Sequence, residues 1–184
     1  SMADHFQTGV NFQGKLLVAH PNLTGFFARS LILVYQDDPL HGISGVILNK
    51  PTKVNVKQII EDRGFGYGGT EYMYKGGPVN DQAILLTHTD EWYSSNTMQI
   101  GNGLAITSDN PMIEKIAMNN SPIQWRMSLG MAGWHLGQLQ KEISNQNGWL
   151  TCEASRAIVF DKDGERQWNT AVQACANQTI DSYF

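Results

Sequence analysis

Residues 128–143, with the sequence Ser128-Leu-Gly-Met-Ala-Gly-Trp-His-Leu-Gly-Gln-Leu-Gln-Lys-Glu-Ile143, contain the change of pattern on which the predicted fold depends. The stretch begins inside a predicted strand at residues 124–131 and ends inside a predicted helix at residues 135–144. Within that helix, the apolar residues recur at the spacing of one buried face, namely Leu136, Leu139 and Ile143. A strand that passes through a glycine-rich turn into a helix indicates a mixed fold with a crowded connection.

Short apolar runs bounded by turn residues predict the other strands, and helical spacing of apolar residues predicts three further helices. The strands are predicted at residues 15–19, 30–35, 42–48, 71–75, 84–88, 98–100, 104–107, 149–152 and 157–160, and the helices at residues 54–63, 111–118 and 166–176. Because strands and helices follow in mixed order rather than in strict alternation, the sequence predicts an α+β fold. Its sheet is expected to be largely antiparallel and curled toward a barrel.

One domain is predicted, since 184 residues with 41% hydrophobic content can bury a core. Residues 1–14 are predicted to form a flexible N-terminal arm, and residues 15–184 the domain. No apolar run approaches the roughly 20 residues of a membrane-spanning helix. The first residues also lack the pattern of a secretory signal. We therefore expect a cytoplasmic protein that does not act at a membrane.

The net charge of −4 argues against a general electrostatic attraction to DNA. Four of the thirteen basic residues do fall within fourteen positions, and they are Lys50, Lys53, Lys57 and Arg63. We interpret them as a solvated face, because acidic residues interrupt them and no aromatic residues lie between them. The alternative is contact with a small anion or a nucleic acid.

No complete catalytic or metal-binding motif is present. Residues 64–69 (GFGYGG) match the dinucleotide-binding pattern, but they follow a predicted helix instead of a strand, so we interpret them as a loop. Residues 88–91 (HTDE) are interpreted as a solvated turn rather than a metal site. The two cysteines, Cys152 and Cys175, are too few for a disulfide framework, and Cys175 is predicted to be a small core residue. We predict no catalytic residue, no metal and no cofactor.

The predicted helix at residues 135–144 carries a candidate binding face. Trp134, Gln138 and Glu142 are each four residues apart and lie on a face different from the apolar one. A helix N-terminus also offers free N–H groups to an anion. Gly137 inside a helix would cost ~1 kcal/mol relative to alanine, which predicts close approach of another backbone there. The alternative is that these glycines, Trp134 and Gln138 only join the helix to the sheet.

A series of short motifs, taken in order, resembles the AlgH/YqgE family over about residues 15–176. The motifs are Gly42-x-x-Gly45, Asn49-Lys50-Pro51, Gly76-Gly77-Pro78-Val79, Thr107-Ser108, Leu129-Gly130-x-Ala132-x-Trp134, Gly137-Gln138-Leu139, Glu142-Ile143 and Trp149-Leu150-Thr151. The resemblance implies a single bacterial-type α+β domain, whose mixed, mostly antiparallel sheet curls into a partly open pseudo-barrel with short helices packed around it. It also implies a family labelled as transcriptional regulators, for which no DNA-binding element or enzymatic activity is generally established.

The sequence departs from the family pattern at several polar positions. Relatives carry a Cys-Glu-His run where this chain has Gln36, Asp37 and Asp38, so no thiol chemistry can operate at that position. Relatives also carry arginine where Gln82 stands and glutamate where Gln140 stands. The glycine, proline and tryptophan scaffold is kept, which favours a structural rather than a catalytic role for the exchanged groups.

The leading hypothesis is a non-enzymatic cytoplasmic regulator that acts by binding an unknown protein partner or small ligand. Direct DNA binding is not expected. The alternative is a small-molecule or anion pocket, enzymatic or not, near Asn49, Gly77, Trp134 and Gln138. The full candidate binding surface comprises Asn49, Lys50, Gly76, Gly77, Pro78, Trp134, Gln138 and Glu142.

Overall fold

The structure, a computed structural model, describes residues 10–135 and 137–181, which contain ten strands and five helices. The strands are β1 (Lys15–Ala19), β2 (Leu31–Asp38), β3 (Gly42–Ile47), β4 (Pro51–Asn55), β5 (Tyr72–Lys75), β6 (Val79–Thr89), β7 (Met98–Gly101), β8 (Leu104–Thr107), β9 (Trp125–Trp134) and β10 (Trp149–Glu153). The helices are α1 (Val56–Asp62), α2 (Pro111–Ala117), α3 (Gln138–Ser144), α4 (Arg156–Phe160) and α5 (Gly164–Asp181).

The strands form one curled sheet in the order β10-β1-β2-β3-β9-β6-β8-β7. Strand β5 pairs with β9 in the parallel direction, β4 pairs with β5, and the other pairs are antiparallel. The sheet curls into a half-barrel within a single α+β domain, which confirms the predicted fold class.

Strand β2 illustrates how the apolar pattern builds the core. Residues 31–35 are buried along their whole length, because both faces of this strand are covered. Leu31, Leu33 and Tyr35 enter a cluster that also includes residues of α5, whereas Ile32 and Val34 enter a second cluster with Leu139 of α3. A third cluster lies between the sheet and helices α1 and α2. The alternation of side chains along the strands therefore separates the core into layers.

Two local predictions are wrong. Residues 157–160 belong to α4 instead of a strand, because the hydroxyl of Ser155 accepts a hydrogen bond from the Ile158 N–H and starts a helix. Gly137 does not lie inside a helix: it precedes α3 with a φ of 82°, in the left-handed region that favours glycine. Backbone conformation therefore accounts for the glycine at this position.

Residues 1–9 of the predicted N-terminal arm lie outside the described residues. Of the remainder, Phe12 is buried in the second cluster, and its N–H donates to Asp37 Oδ2 at 2.7 Å. The Gly14 N–H donates to the Val34 carbonyl oxygen at 2.8 Å. Residues 12–14 thus pack on strand β2.

Cys152 and Cys175 form a disulfide, which the cysteine count did not predict. The bond joins β10 to α5 across 23 residues of sequence, with a Cα–Cα distance of 5.2 Å. Nearby, Gln178 accepts from the Glu153 N–H and donates to its carbonyl oxygen, at 2.8 and 3.2 Å. The missed pairing reflects tertiary packing, because nothing in the spacing of two distant cysteines reveals that their elements meet.

Loss of the disulfide should destabilise the fold measurably. Closing a loop of this length restricts the unfolded chain, so the double variant Cys152→Ala/Cys175→Ala should lose about 3 kcal/mol of unfolding free energy. Thermal unfolding should then show a midpoint lower by roughly 6–12 °C. Reductant should lower the midpoint of the wild type and leave the double variant unchanged. Equal midpoints for the two proteins without reductant would contradict the prediction.

Candidate functional site

The structure brings together two of the three groups of residues in the candidate surface. The Lys75 N–H donates to the Lys50 carbonyl oxygen, and the Ile47 N–H donates to the Gly76 carbonyl oxygen, both at 2.8 Å. The segment after β3, with Asn49 and Lys50, therefore lies beside the turn of residues 76–78. The chain approaches β9 closely here, since a Cβ atom at Gly76 would collide with the carbonyl oxygen of Gly130.

Asn49 holds separate parts of the chain together. Its side chain is 3% exposed, and its Oδ1 accepts from the Leu31 N–H at 2.9 Å. Its Nδ2 donates to the carbonyl oxygens of Arg29 and Gly164, at 2.9 and 3.1 Å. The neighbouring Lys50 ammonium donates to the Ala28 carbonyl oxygen at 3.0 Å, and partial burial lowers its pKa. Both side chains are thus engaged by backbone groups.

The third group, Trp134, Gln138 and Glu142, begins at the other end of β3. Trp134 pairs with Ile43, six residues before Asn49, which corresponds to about 20 Å along an extended strand. The Trp134 ring is buried against Trp149, with ring centroids 6.3 Å apart. Gln138 Oε1 accepts from the His135 N–H at 3.0 Å and closes the turn before α3. Glu142 is half-buried on the same helix.

A separate pocket of about 510 Å³ lies where the irregular first half of β6 meets β7, β8 and α2. We call it the methionine pocket, because Met98, Met112 and Met131 line it. Its other apolar lining residues are Tyr35, Ala83, Ile84, Leu85, Ile106 and Ile113, and its polar ones are Arg63, Asn80, Gln82, Asn96, Ser108, Asp109 and Asn110. An apolar interior with a few polar groups is the usual composition of a ligand site.

The ionisable groups of the methionine pocket differ in how fully they are engaged. Burial raises the pKa of Tyr35, whose hydroxyl lies 3.1 Å from Met131 Sδ. Burial opposes the ionisation of Asp109, but hydrogen bonds from the Asn96 N–H, the Ser94 hydroxyl and other N–H groups hold its pKa below the usual range. Arg63 is exposed, and its guanidinium donates to Asn110 Oδ1 at 3.5 Å.

A second pocket, of about 600 Å³, has the buried Arg126 in its lining. Nη1 of this guanidinium donates to the Leu48 carbonyl oxygen and to Gln167 Oε1, at 2.7 and 2.6 Å, and Nη2 donates to carbonyl oxygens of the segment before α5. The guanidinium carbon also lies 4.7 Å from the centre of the Tyr74 ring. Because both Nη atoms are occupied, Arg126 holds the chain segments around it together.

His88 is fully buried, so the interpretation of residues 88–91 as a solvated turn is wrong for this residue. Its ring nitrogens lie 2.8 Å from the Thr89 carbonyl oxygen and 2.8 Å from Thr107 Oγ1. Over residues 10–135 and 137–181, no cluster of three or more His, Cys, Asp or Glu side chains is arranged to hold a metal ion. None of the helices in those ranges is long and apolar enough to cross a membrane.

The chain is thus a single α+β domain, whose sheet curls into a half-barrel with a pocket at its side. Comparison with known proteins identifies its family. A family model described as AlgH-like matches residues 16–179. The chain belongs to this AlgH-like family, which confirms the resemblance found in the sequence.

Curated relatives and solved structures agree with this assignment. A UPF0301 protein of Shewanella baltica is 33% identical over 172 residues, covering 89% of this chain and 91% of the relative. The solution structure of the AlgH protein from Pseudomonas aeruginosa superposes with a TM-score of 0.74 at 27% identity, covering 88% of this chain and 87% of that one. Protein DIP2367 from Corynebacterium diphtheriae shares the fold, with a TM-score of 0.71 at 24% identity and 93% of each chain covered.

Asn49 should matter for stability more than Gln138 does. Asn49→Ala removes three hydrogen bonds and leaves the buried Leu31 N–H without its acceptor, so we expect a loss of about 2–4 kcal/mol of unfolding free energy. Gln138→Ala removes one exposed bond to its own turn and should cost less than about 1 kcal/mol. Urea unfolding of both variants tests this. Equal losses would contradict the structural role of Asn49.

His88 should make the fold less stable at mildly acidic pH. Burial lowers its pKa in the folded protein, so the neutral ring is favoured and protonation favours unfolding. The stability contributed by the neutral ring is therefore complete above the unfolded-state pKa of about 6.5 and declines as the pH falls below it. Urea unfolding between pH 5 and pH 8 should show a steeper decline for the wild type than for His88→Phe. Identical pH dependence of the two proteins would contradict this.

Proposed function

We propose that this protein is a non-catalytic cytoplasmic binding protein that takes up a small molecule in the methionine pocket. The observation that carries the proposal is the pocket itself: about 510 Å³ bounded by three methionines and other apolar side chains, with amides at its edge. Sites for small molecules usually have volumes of about 300–1,000 Å³. Methionine side chains adapt to ligands of different shape, which suits them to this task.

The ionisable groups around the pocket favour binding over catalysis. The hydroxyl of Tyr35 has a raised pKa, so it is a poor nucleophile near neutral pH. The carboxylate of Asp109 is occupied by backbone N–H groups and a serine hydroxyl, so it is not placed to take a proton from a ligand.

The proposal includes a regulatory role. The bound small molecule is the signal, and it changes how the protein binds a partner. The acidic net charge of −4 supports a partner other than DNA. The surface predicted around Asn49, Gly77, Trp134 and Gln138 stays a prediction, and of these four residues Gln138 is exposed whereas the other three are buried. Pro78 is its exposed member beside the turn at Gly77.

Filling the pocket should abolish ligand uptake without unfolding the protein. N-phenyl-1-naphthylamine, an uncharged apolar fluorophore, should bind the wild type saturably with an increase in fluorescence. Ala83→Leu adds three carbon atoms to a half-buried lining position and should weaken binding roughly tenfold or more. The control is Ala157→Leu, at an exposed position of α4, which should bind normally. Absence of saturable binding to the wild type, or equal binding to both variants, would contradict the proposal.

A further inference from the structure

We propose that the ligand of the methionine pocket is an amphipathic anion: an apolar body inserted between the methionines, with one anionic group facing Arg63. This inference rests on the proposed function and specifies the chemical class of the ligand. It follows from the charges, free polar groups and apolar surface of the pocket, taken in turn.

The interior of the pocket fits an apolar body. Ile106, Met112 and Ile113 are each 3% exposed or less, and Met98 and Met131 are half-buried beside them. Removal of the apolar body of a ligand from water favours binding by roughly 25 cal/mol per Å² of apolar surface. A strongly polar molecule would lose its hydration there without gaining enough hydrogen bonds.

The two charged groups in the pocket lining, the Arg63 guanidinium and the Asp109 carboxylate, differ in how many hydrogen bonds they make. Arg63 follows the last turn of α1, and none of the ion pairs found among the described residues includes it. Among the residues that the structure describes, its one polar side-chain contact is the uncharged amide of Asn110, at the 3.5 Å limit of a hydrogen bond. The carboxylate of Asp109 is bound by the Ser94 hydroxyl and by the N–H groups of Asn96 and Met112, at 2.8–2.9 Å, and so is turned toward its own loop. An anionic ligand group would therefore complete the hydrogen bonding of Arg63.

The irregular segment of β6 adds neutral donors beside this cation. The pairing of β6 with β9 shifts register between Val79 and Ile84, and within this segment Asn80 has a φ of 48°. Such irregularities redirect side chains and occur often near binding sites. The exposed amides of Asn80 and Gln82 line the pocket and make no hydrogen bond within the described part of the chain. Their NH₂ groups can donate to the oxygens of a carboxylate, sulfonate or phosphate.

The same features exclude other ligand classes. An organic cation would meet the charge of Arg63 and would find the carboxylate of the lining, that of Asp109, already hydrogen-bonded. A neutral apolar molecule would bind the interior but would leave Arg63 and the amides with water alone. The amphipathic anion uses both parts of the pocket.

Two dyes that differ only in one charged group provide the test. 1-Anilinonaphthalene-8-sulfonate is N-phenyl-1-naphthylamine with an added sulfonate, which stands for the anionic group of the ligand. The wild type should bind the sulfonate dye more tightly than the neutral one, and added salt should weaken only the sulfonate dye. Arg63→Gln should raise the Kd of the sulfonate dye roughly three- to tenfold and leave that of the neutral dye unchanged. The matched control is Lys57→Gln, another exposed cation of α1, which does not line the pocket and should change neither Kd.

The outcomes separate the two proposals. If both dyes bind with equal Kd, compete with each other, and bind Arg63→Gln as they bind the wild type, the methionine pocket is supported as a binding site. The inference that its ligand is an anion is then wrong. If Arg63→Gln and Lys57→Gln weaken the sulfonate dye equally, general surface charge explains the effect and the inference is also wrong. If neither dye binds, or Ala83→Leu leaves both unaffected, the proposed function fails together with this inference. Displacement of the sulfonate dye at lower concentrations of octanoate than of octan-1-ol would support the inference with a chemically simple ligand.

Discussion

The close approach of the turn at Gly76 and Gly77 to Gly130 in strand β9 is the constraint on which the rest of this structure depends. Gly76 and Gly77 lie against Gly130 and Met131 of β9, and a Cβ atom at any of the three glycines would collide with a backbone carbonyl oxygen. Because of this contact, β9 can pair with β3, β5 and β6 within a few residues. The same contact lies beside the register shift of β6, since Val79 pairs with Met131. The segment that follows Val79 supplies Asn80 and Gln82 to the methionine pocket. Backbone packing at the centre of the sheet thus shapes the proposed binding site.

The sequence predicts most of the sheet because local patterns suffice for it. The run at residues 30–35 is continuously apolar and bounded by turns, and it becomes the buried strand β2. The helix predicted at residues 54–63 is present as α1, which Asn55 precedes and for which Gln58 completes a capping box. Short segments such as residues 157–160 are harder, since four apolar residues fit either a strand or one helical turn. There the hydroxyl of Ser155 decides the outcome.

The candidate site was less predictable from the sequence, because residues that stand out in a motif can have a structural role instead of a role in binding. The motifs around Asn49 and Gly77 stand out in the sequence, yet Asn49 is engaged by three backbone groups and Gly77 is required by backbone packing. The methionine pocket, by contrast, takes its lining from β2, β6, β7, β8, β9, α2 and the loops between them. No continuous motif marks such a site. In the sequence, Arg63 belongs to a basic cluster, for which the alternative interpretation is contact with a small anion or a nucleic acid. The Cys152–Cys175 bond is a further long-range feature, which joins two elements that are 23 residues apart in the sequence.

The location of the ligand tests the account most directly, and the seven methionines offer a probe for it. Methyl-labelled methionine signals can be assigned by single substitutions and followed by NMR during titration with 1-anilinonaphthalene-8-sulfonate. The account predicts that the signals of Met98, Met112 and Met131 shift together and saturably. The signals of Met73, Met118 and Met127 should change little, since these three methionines do not line the methionine pocket. Among the methionines of the described residues, Met127 is the one that lines the other pocket, beside Arg126. Shifts confined to Met127, or spread evenly over all the methionines, would contradict the account.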